Sequence, residues 1–182
     1  HRHLEAYFAI PCSGAILHTI NIRLAPEHIV YIVNHAEDEI LLIDESLFPL
    51  VEPALTLLKT EKPVIVMRDS KGAPASTFPN VHSYEALLEA ADEHFEFPED
   101  LDENLPAGLC YTSATTGMPK GVVYTHRSIV LHSLALGLAE SFGLKENDIA
   151  LPIVPMFHVN AWGFPFAAVN FGVKQIMPGP MF

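Results

Sequence analysis

Tyr111-Thr112-Ser113-Ala114-Thr115-Thr116-Gly117-Met118-Pro119-Lys120-Gly121 joins two apolar runs, Ala107 to Tyr111 before it and Gly121-Val122-Val123-Tyr124 after it. The runs read as strands and the stretch between them as a loop. From Thr112 to Lys120 the loop places four hydroxyls, a glycine and a lysine within nine residues. Small residues let a ligand approach the backbone closely. Hydroxyls and free N–H groups can donate to anionic oxygens. Pro119 stiffens the exit, and Lys120 offers a mobile point charge. Together these features describe a cradle for a polyphosphate. It is not a Walker loop, whose lysine is followed by Ser or Thr at a helix start. Here Lys120 is followed by Gly121 and a strand.

Upstream, Pro26 and Glu27 suit a helix start, and Ile29, Ile32, Val33 and Ala36 share one helical face. Glu37-Asp38-Glu39 reads as its solvated end, not an acid/base pair. Ile40 to Ile43 and Val64 to Met67 are short apolar runs, expected as strands buried on both faces. A helical stretch from about Leu47 to Leu58 separates them, disturbed by Pro49 and Pro53. Residues 68 to 80 are rich in turn formers, and Ser83 can cap a helix running to Ala91. The acidic, proline-containing stretch 93 to 106 reads as a surface connection. It suggests lobes 1–95 and 107–182 joined by a linker at 96–106.

Downstream, Ser128 is expected to start a long amphipathic helix with Val130, Leu134, Leu138 and Phe142 on its core face. Strands are expected at Ile149 to Val154 and Val173 to Met177. A helix disturbed by Gly163 and Pro165 is expected at Asn160 to Phe171. This alternation predicts an α/β chain with parallel strands and crossover helices.

The composition, 49% hydrophobic and 18% charged, suits a packed core. A net charge of -12 disfavours nucleic acid as a partner. Cys12 and Cys110 show no zinc-ligand spacing and are expected to be buried free thiols. No apolar run is long enough for a membrane span, and no signal peptide is visible, so a cytoplasmic setting is the expectation. The apolar material beside both ends and the absence of an initiator methionine suggest a fragment.

A second segment follows the expected strand ending at Val154: Pro155-Met156-Phe157-His158-Val159-Asn160-Ala161-Trp162-Gly163. It places His158 beyond a strand's carboxyl end, where open α/β sheets bind ligands. Taken alone, a core histidine and a packing tryptophan are the blander readings of His158 and Trp162.

The loop resembles the signature of the acyl-activating, adenylate-forming superfamily, in which small hydroxyl residues lead into T-T-G-x-P-K-G. Ala114 stands where glycine is usual. The match is closest to medium- and long-chain fatty acyl-CoA synthetases. Upstream stretches fit too, including Glu5-Ala6-Tyr7-Phe8-Ala9 and Asn21-Ile22-Arg23-Leu24.

The resemblance implies part of a large N-terminal, AMP-binding domain spanning 1–182, with parallel or mixed sheets flanked by helices and the C-terminal domain absent. It implies ATP, Mg2+ and CoA, with a carboxylic acid as the other substrate, and leaves a homodimer open. It assigns Thr112, Ser113, Ala114, Thr115, Thr116, Gly117 and Lys120 to the nucleotide's phosphates, with Thr112 also on the magnesium. It assigns His158 to orienting the acyl group or adenylate, the Val159 backbone to the same ligand, and Trp162 to an acyl tunnel. No Tyr-Gly-x-Thr-Glu run, the superfamily's adenine segment, is present. The isolated chain is therefore expected to be inactive. An aryl-CoA ligase, a luciferase-like enzyme and a non-catalytic nucleotide-binding module remain alternatives. His1 and His3 read as a surface cluster or disordered terminus, and His126-Arg127 as a helix-capping region.

Overall fold

The structure, a computed structural model, describes residues 1–58, 62–69, 78–112, 117–177 and 179. The chain divides into two compact units, His1–Asn21 with Phe97–Phe182, and Ile22–Glu96. This grouping differs from the lobes expected at 1–95 and 107–182. The amino-terminal residues join the later part because the first strand hydrogen-bonds with the strand before the hydroxyl-rich loop.

In the Ile22–Glu96 unit, β2 (Leu41–Asp44), β3 (Val64–Met67) and β4 (Val81–Ser83) form a parallel sheet in that order. Helix α2 (Pro26–His35) starts at Pro26 as its residue types predict, and buries Ile29, Ile32 and Val33. Helix α3 (Phe48–Leu58) begins after a short 3-10 turn at Glu45–Leu47. Pro49 therefore falls in the first turn, where its missing N–H costs no helical bond. Ser83 caps α4 (Tyr84–Ala90), its hydroxyl accepting from the Ala86 N–H at 3.4 Å. The strand expected from Ile40 starts at Leu41, and only Leu41 is fully buried in it. That strand lies at a sheet edge, so one side lacks the covering that its apolar run suggested.

The other unit holds α1 (Arg2–Cys12), β1 (Leu17–Thr19), β5 (Pro106–Tyr111), β6 (Gly121–Thr125) and α5 (His126–Leu136). It also holds a two-residue parallel pair, β7 (Ile149–Ala150) with β8 (Lys174–Gln175), and a helix Phe164–Asn170. β5 is the central strand of a three-stranded sheet, parallel to β1 and antiparallel to β6. Helix α1 was not anticipated. Its Tyr7 is fully buried, packs on Phe166 and donates to the Met156 carbonyl.

Several expectations are corrected here. The strand expected at 149–154 ends at Ala150, leaving Ile153 72% exposed. The final strand shrinks to Lys174–Gln175. Helix α5 starts at His126 under a Thr125 cap, two residues before Ser128, and ends at Leu136. It packs against the helix Phe164–Asn170, and the residues it buries are Ser133 and Leu136. The face expected in the core is open: Val130, Leu134, Leu138 and Phe142 are all exposed. Cys12 is exposed at the end of α1, whereas Cys110 is buried.

His3 also departs from a surface or disordered reading. It lies on α1 with its ring edge-on to Tyr7 at 5.2 Å. Burial, then the nearby chain terminus, lowers its pKa to about 4 from 6.5. The unfolded chain therefore binds the proton more tightly, and stability at this site falls as pH drops through that window. Urea unfolding should show a loss of up to about 3 kcal/mol between pH 7 and pH 4 from this group. A His3→Leu variant should show a correspondingly shallower pH dependence.

Candidate functional site

β5 and β6 form a hairpin whose last paired residues are Tyr111 and Gly121. The hydroxyl-rich stretch therefore connects the two strands, and the described residues at its ends, Thr112 and 117–120, lie outside the ladder. Its neck is closed twice. The Thr112 N–H donates to the Lys120 carbonyl at 3.0 Å, and the Lys120 N–H donates to the Thr112 hydroxyl at 3.3 Å. Gly121 fits against the Tyr111 ring, where a Cβ would approach to 3.2 Å. Gly117 has φ +90 with open space around it, a conformation that favours glycine. Pro119 is buried at the exit, while Thr112, Gly117 and Lys120 are exposed. Ser113, Ala114, Thr115 and Thr116 lie outside the described residues.

The segment after β7 is shaped differently from the helix expected at 160–171. Val159, Asn160, Ala161 and Trp162 all have φ between 48 and 58, followed by Gly163 at 71. Asn160 and Ala161 have ψ of 42. These are left-handed helical angles. The turn is closed by the Ala161 N–H to the His158 carbonyl at 2.9 Å, and the Gly163 N–H to the Asn160 carbonyl at 2.8 Å. Four consecutive non-glycine residues in this region cost roughly 4–8 kcal/mol, and β-branched Val159 is the least tolerant of them. Such strain persists only where the surroundings over-determine it.

Three anchors do so. Tyr7 holds the Met156 carbonyl just upstream. The Asn160 Oδ1 accepts from the Thr19 hydroxyl at 2.9 Å and from the Cys110 thiol at 3.0 Å. His132 Nε2 lies 2.9 Å from the Trp162 carbonyl, which only accepts, so this ring nitrogen carries the proton. Asn160 and Ala161 are buried, whereas His158, Val159 and Trp162 are exposed. The exposed residues are thus the three singled out from sequence, Val159 for its backbone, and the buried two, Asn160 and Ala161, are not among them.

Sequence reasoning missed Thr19, Cys110, His132 and Asn160. The available signal was Asn160 itself, a polar residue set between Val159 and Ala161 in an apolar stretch. Burial pushes the Cys110 thiol pKa up, so the thiol stays protonated and remains a donor. No cluster of three or more His, Cys, Asp or Glu that could hold a metal occurs among the described residues. His126 and Arg127 sit in the first turn of α5, but the cap is Thr125, whose hydroxyl accepts from the Ser128 N–H. Arg127 pairs with Glu103 at 2.5 Å.

A model of the AMP-binding enzyme family matches residues 1–181. The chain belongs to the AMP-binding enzymes. Within that family it is 52% identical over 179 residues to a long-chain-fatty-acid–CoA ligase of Thermus thermophilus, covering 98% of this chain and 31% of that protein. It is 44% identical to a medium-chain-fatty-acid–CoA ligase of Ectopseudomonas oleovorans, covering 98% of this chain and 33% of that one. It is 46% identical to a 3-methylmercaptopropionyl-CoA ligase of Ruegeria pomeroyi, over the same shares of 98% and 33%. The chain thus spans about a third of the length of the curated relatives it matches. A solved long-chain-fatty-acid–CoA ligase from Archaeoglobus fulgidus superposes with a TM-score of 0.75 at 26% identity, covering 96% of this chain and 32% of that one. The α/β architecture expected from sequence is that of AMP-binding enzymes.

Two glycines of this AMP-binding chain make contrasting probes. A Cβ at Gly117 would meet nothing within 4 Å, whereas one at Gly163 would lie 2.6 Å from the His132 ring. Gly117→Ala should cost about 1 kcal/mol, the strain of positive φ alone. Gly163→Ala should cost about 2–4 kcal/mol, because strain and overlap add. Denaturant midpoints of the two variants check the order.

Proposed function

We propose that this chain is the phosphate-holding part of an ATP-dependent fatty acid–CoA ligase. The observation that carries this is β5, which leads into the exposed Thr112 and, through Cys110, is hydrogen-bonded to Asn160 of the strained turn presenting His158 and Trp162. In the full-length enzyme the acid's carboxylate attacks the α-phosphorus of ATP, forming acyl-adenylate and releasing pyrophosphate. The CoA thiol then attacks the acyl carbon, forming the thioester and releasing AMP.

Thr112, Gly117 and Lys120, with Ser113, Ala114, Thr115 and Thr116, hold the β- and γ-phosphates through amides, hydroxyls and one ammonium. His158 and the Val159 backbone face the adenylate, and Trp162 faces the acyl chain. The described residues do not suit a resident metal centre. They suit a magnesium ion delivered on the triphosphate, with the exposed Thr112 hydroxyl as its protein ligand. That ion would neutralise phosphate charge as pyrophosphate leaves.

The chain alone holds one part of this machinery. In-line attack needs both reactants positioned. Calorimetry with ATP should therefore show binding to this chain without AMP formation. AMP production by the chain alone, given acid and CoA, would contradict this.

In the full-length enzyme, Lys120→Ala should lower acid-dependent pyrophosphate exchange by about 10²-fold or more while leaving the melting temperature unchanged. An unchanged exchange rate removes Lys120 from the phosphate site. The relative acting on 3-methylmercaptopropionate, at 46% identity, favours one competing substrate. A panel of long-chain, medium-chain and 3-methylmercaptopropionic acids should give the highest kcat/KM with a fatty acid. A preference for the thioether acid would reassign the substrate.

A further inference from the structure

The turn that presents His158 and Trp162 is tied to the strand that launches the phosphate loop. Thr19 ends β1 and is the register partner of Cys110 on β5. Their side chains lie 3.2 Å apart, and both reach the Asn160 carbonyl oxygen. All three residues are at most 5% exposed. Gly108, the other β5 residue beside Asn160, leaves room for its amide, since a Cβ there would come within 3.3 Å of it. Asparagine is also among the few residues that tolerate left-handed angles. Cys110 precedes Thr112 by two residues, so one strand carries both the anchor of the turn and the neck of the loop.

We propose that Thr19, Cys110 and Asn160 form a positioning lock that sets the left-handed turn Val159–Trp162 against the carboxyl end of β5. The lock thereby fixes the acid relative to the nucleotide's phosphates. Its effect on substrates rests on the ligase reading above. The lock itself stands on geometry alone. None of the three residues is a catalytic residue, because each acts through the turn.

Trp162 is the chain's single tryptophan, so its emission reports the turn directly. In the 182-residue chain, time-resolved Trp162 anisotropy should follow tumbling of the compact unit that carries it. Thr19→Val, Cys110→Ala and Asn160→Gly should each add a fast nanosecond component while the far-UV circular dichroism is retained. Thr19→Ser, which keeps the hydroxyl, should behave as wild type. Asn160→Gly is informative because glycine relieves the backbone strain, so added motion there reports the lost side-chain bonds.

In the full-length enzyme, each of Thr19→Val and Cys110→Ala removes one buried hydrogen bond and should raise the KM for the acid about fivefold. The KM for ATP should change less than about twofold, because the loop neck does not use these side chains. Unchanged anisotropy in all three folded variants overturns the lock. Altered anisotropy with an unchanged acid KM, or with equal effects on acid and ATP, overturns its role in placing the acid. If the full-length enzyme consumes no carboxylic acid at all, the ligase reading fails, and the anisotropy still decides whether the lock exists. A variant that loses its circular dichroism is replaced by Cys110→Ser, which keeps a donor and should retain wild-type anisotropy. A fast component in folded Cys110→Ser overturns the lock.

Discussion

β5 satisfies its backbone on both edges, with parallel β1 on one side and antiparallel β6 on the other. A central strand has little freedom to slip, because a one-residue shift would exchange its buried and outward faces. Gly108, Leu109 and Cys110 are therefore held in register with Leu17, His18 and Thr19, and the paired stretch ends at Tyr111. The hairpin partner brings it back at Gly121, and the Thr112–Lys120 pair closes the neck. The two ends of the loop are thus set by sheet pairing. Placing ligand-binding residues on a loop set by rigid elements is the usual division of labour.

The second segment works the other way, since its own backbone is strained. Its cost of roughly 4–8 kcal/mol exceeds what three or four hydrogen bonds return at about 1 kcal/mol each. Apolar burial has to offset the remainder. Ala161 is buried within the turn, and Pro165, Phe166, Ala167 and Ala168 are buried immediately after it. Phe166 stacks on both Tyr7 and Phe8 of α1. Tyr7 contributes twice, through that stacking and through its bond to the Met156 carbonyl. The amino-terminal helix thus supports the segment bearing His158, although it lies far from it in sequence.

The legible parts of the sequence were those governed by local rules. Pro26 and Ser83 started helices where proline and a hydroxyl cap should. The hydroxyl-rich stretch was legible as the connection between two strands because short apolar runs flank it on both sides. Failures came where neighbours decide. The spacing of Val130, Leu134, Leu138 and Phe142 counts periodicity but not partners, and α5 buries Ser133 and Leu136 instead. Left-handed angles at Val159 to Trp162 oppose every local preference except that of Asn160. They arise from long-range bonds to Thr19 and Cys110, which no window along the chain can reveal. Lys120 was nameable from the chemistry of its segment and His158 from its place after an expected strand, whereas Trp162 was nameable only because its segment resembled a known pattern. The resemblance gave residue identities, and the structure supplied the strained backbone that presents two of them.

Charge resolves an apparent conflict between an acidic chain and anionic substrates. The net charge is -12, yet no Asp or Glu occurs from Leu105 to Ala139 or from Ile149 to Phe182. Those two stretches contain the hairpin loop and the left-handed turn. Their charged side chains are Lys120, Arg127 and Lys174, with histidines besides. A carboxylate about 4 Å from a phosphate would cost about 4 kcal/mol at an effective dielectric near 20. Exposed charges more than about 8 Å away are largely screened at physiological salt. For the triphosphate and carboxylic acid of the proposed reaction, what would matter is therefore the composition of the segments proposed to hold them. In the proposed reading, keeping carboxylates out of these two stretches leaves Lys120 and the loop amides without an acidic neighbour along the chain, while the acidic remainder sets the net charge.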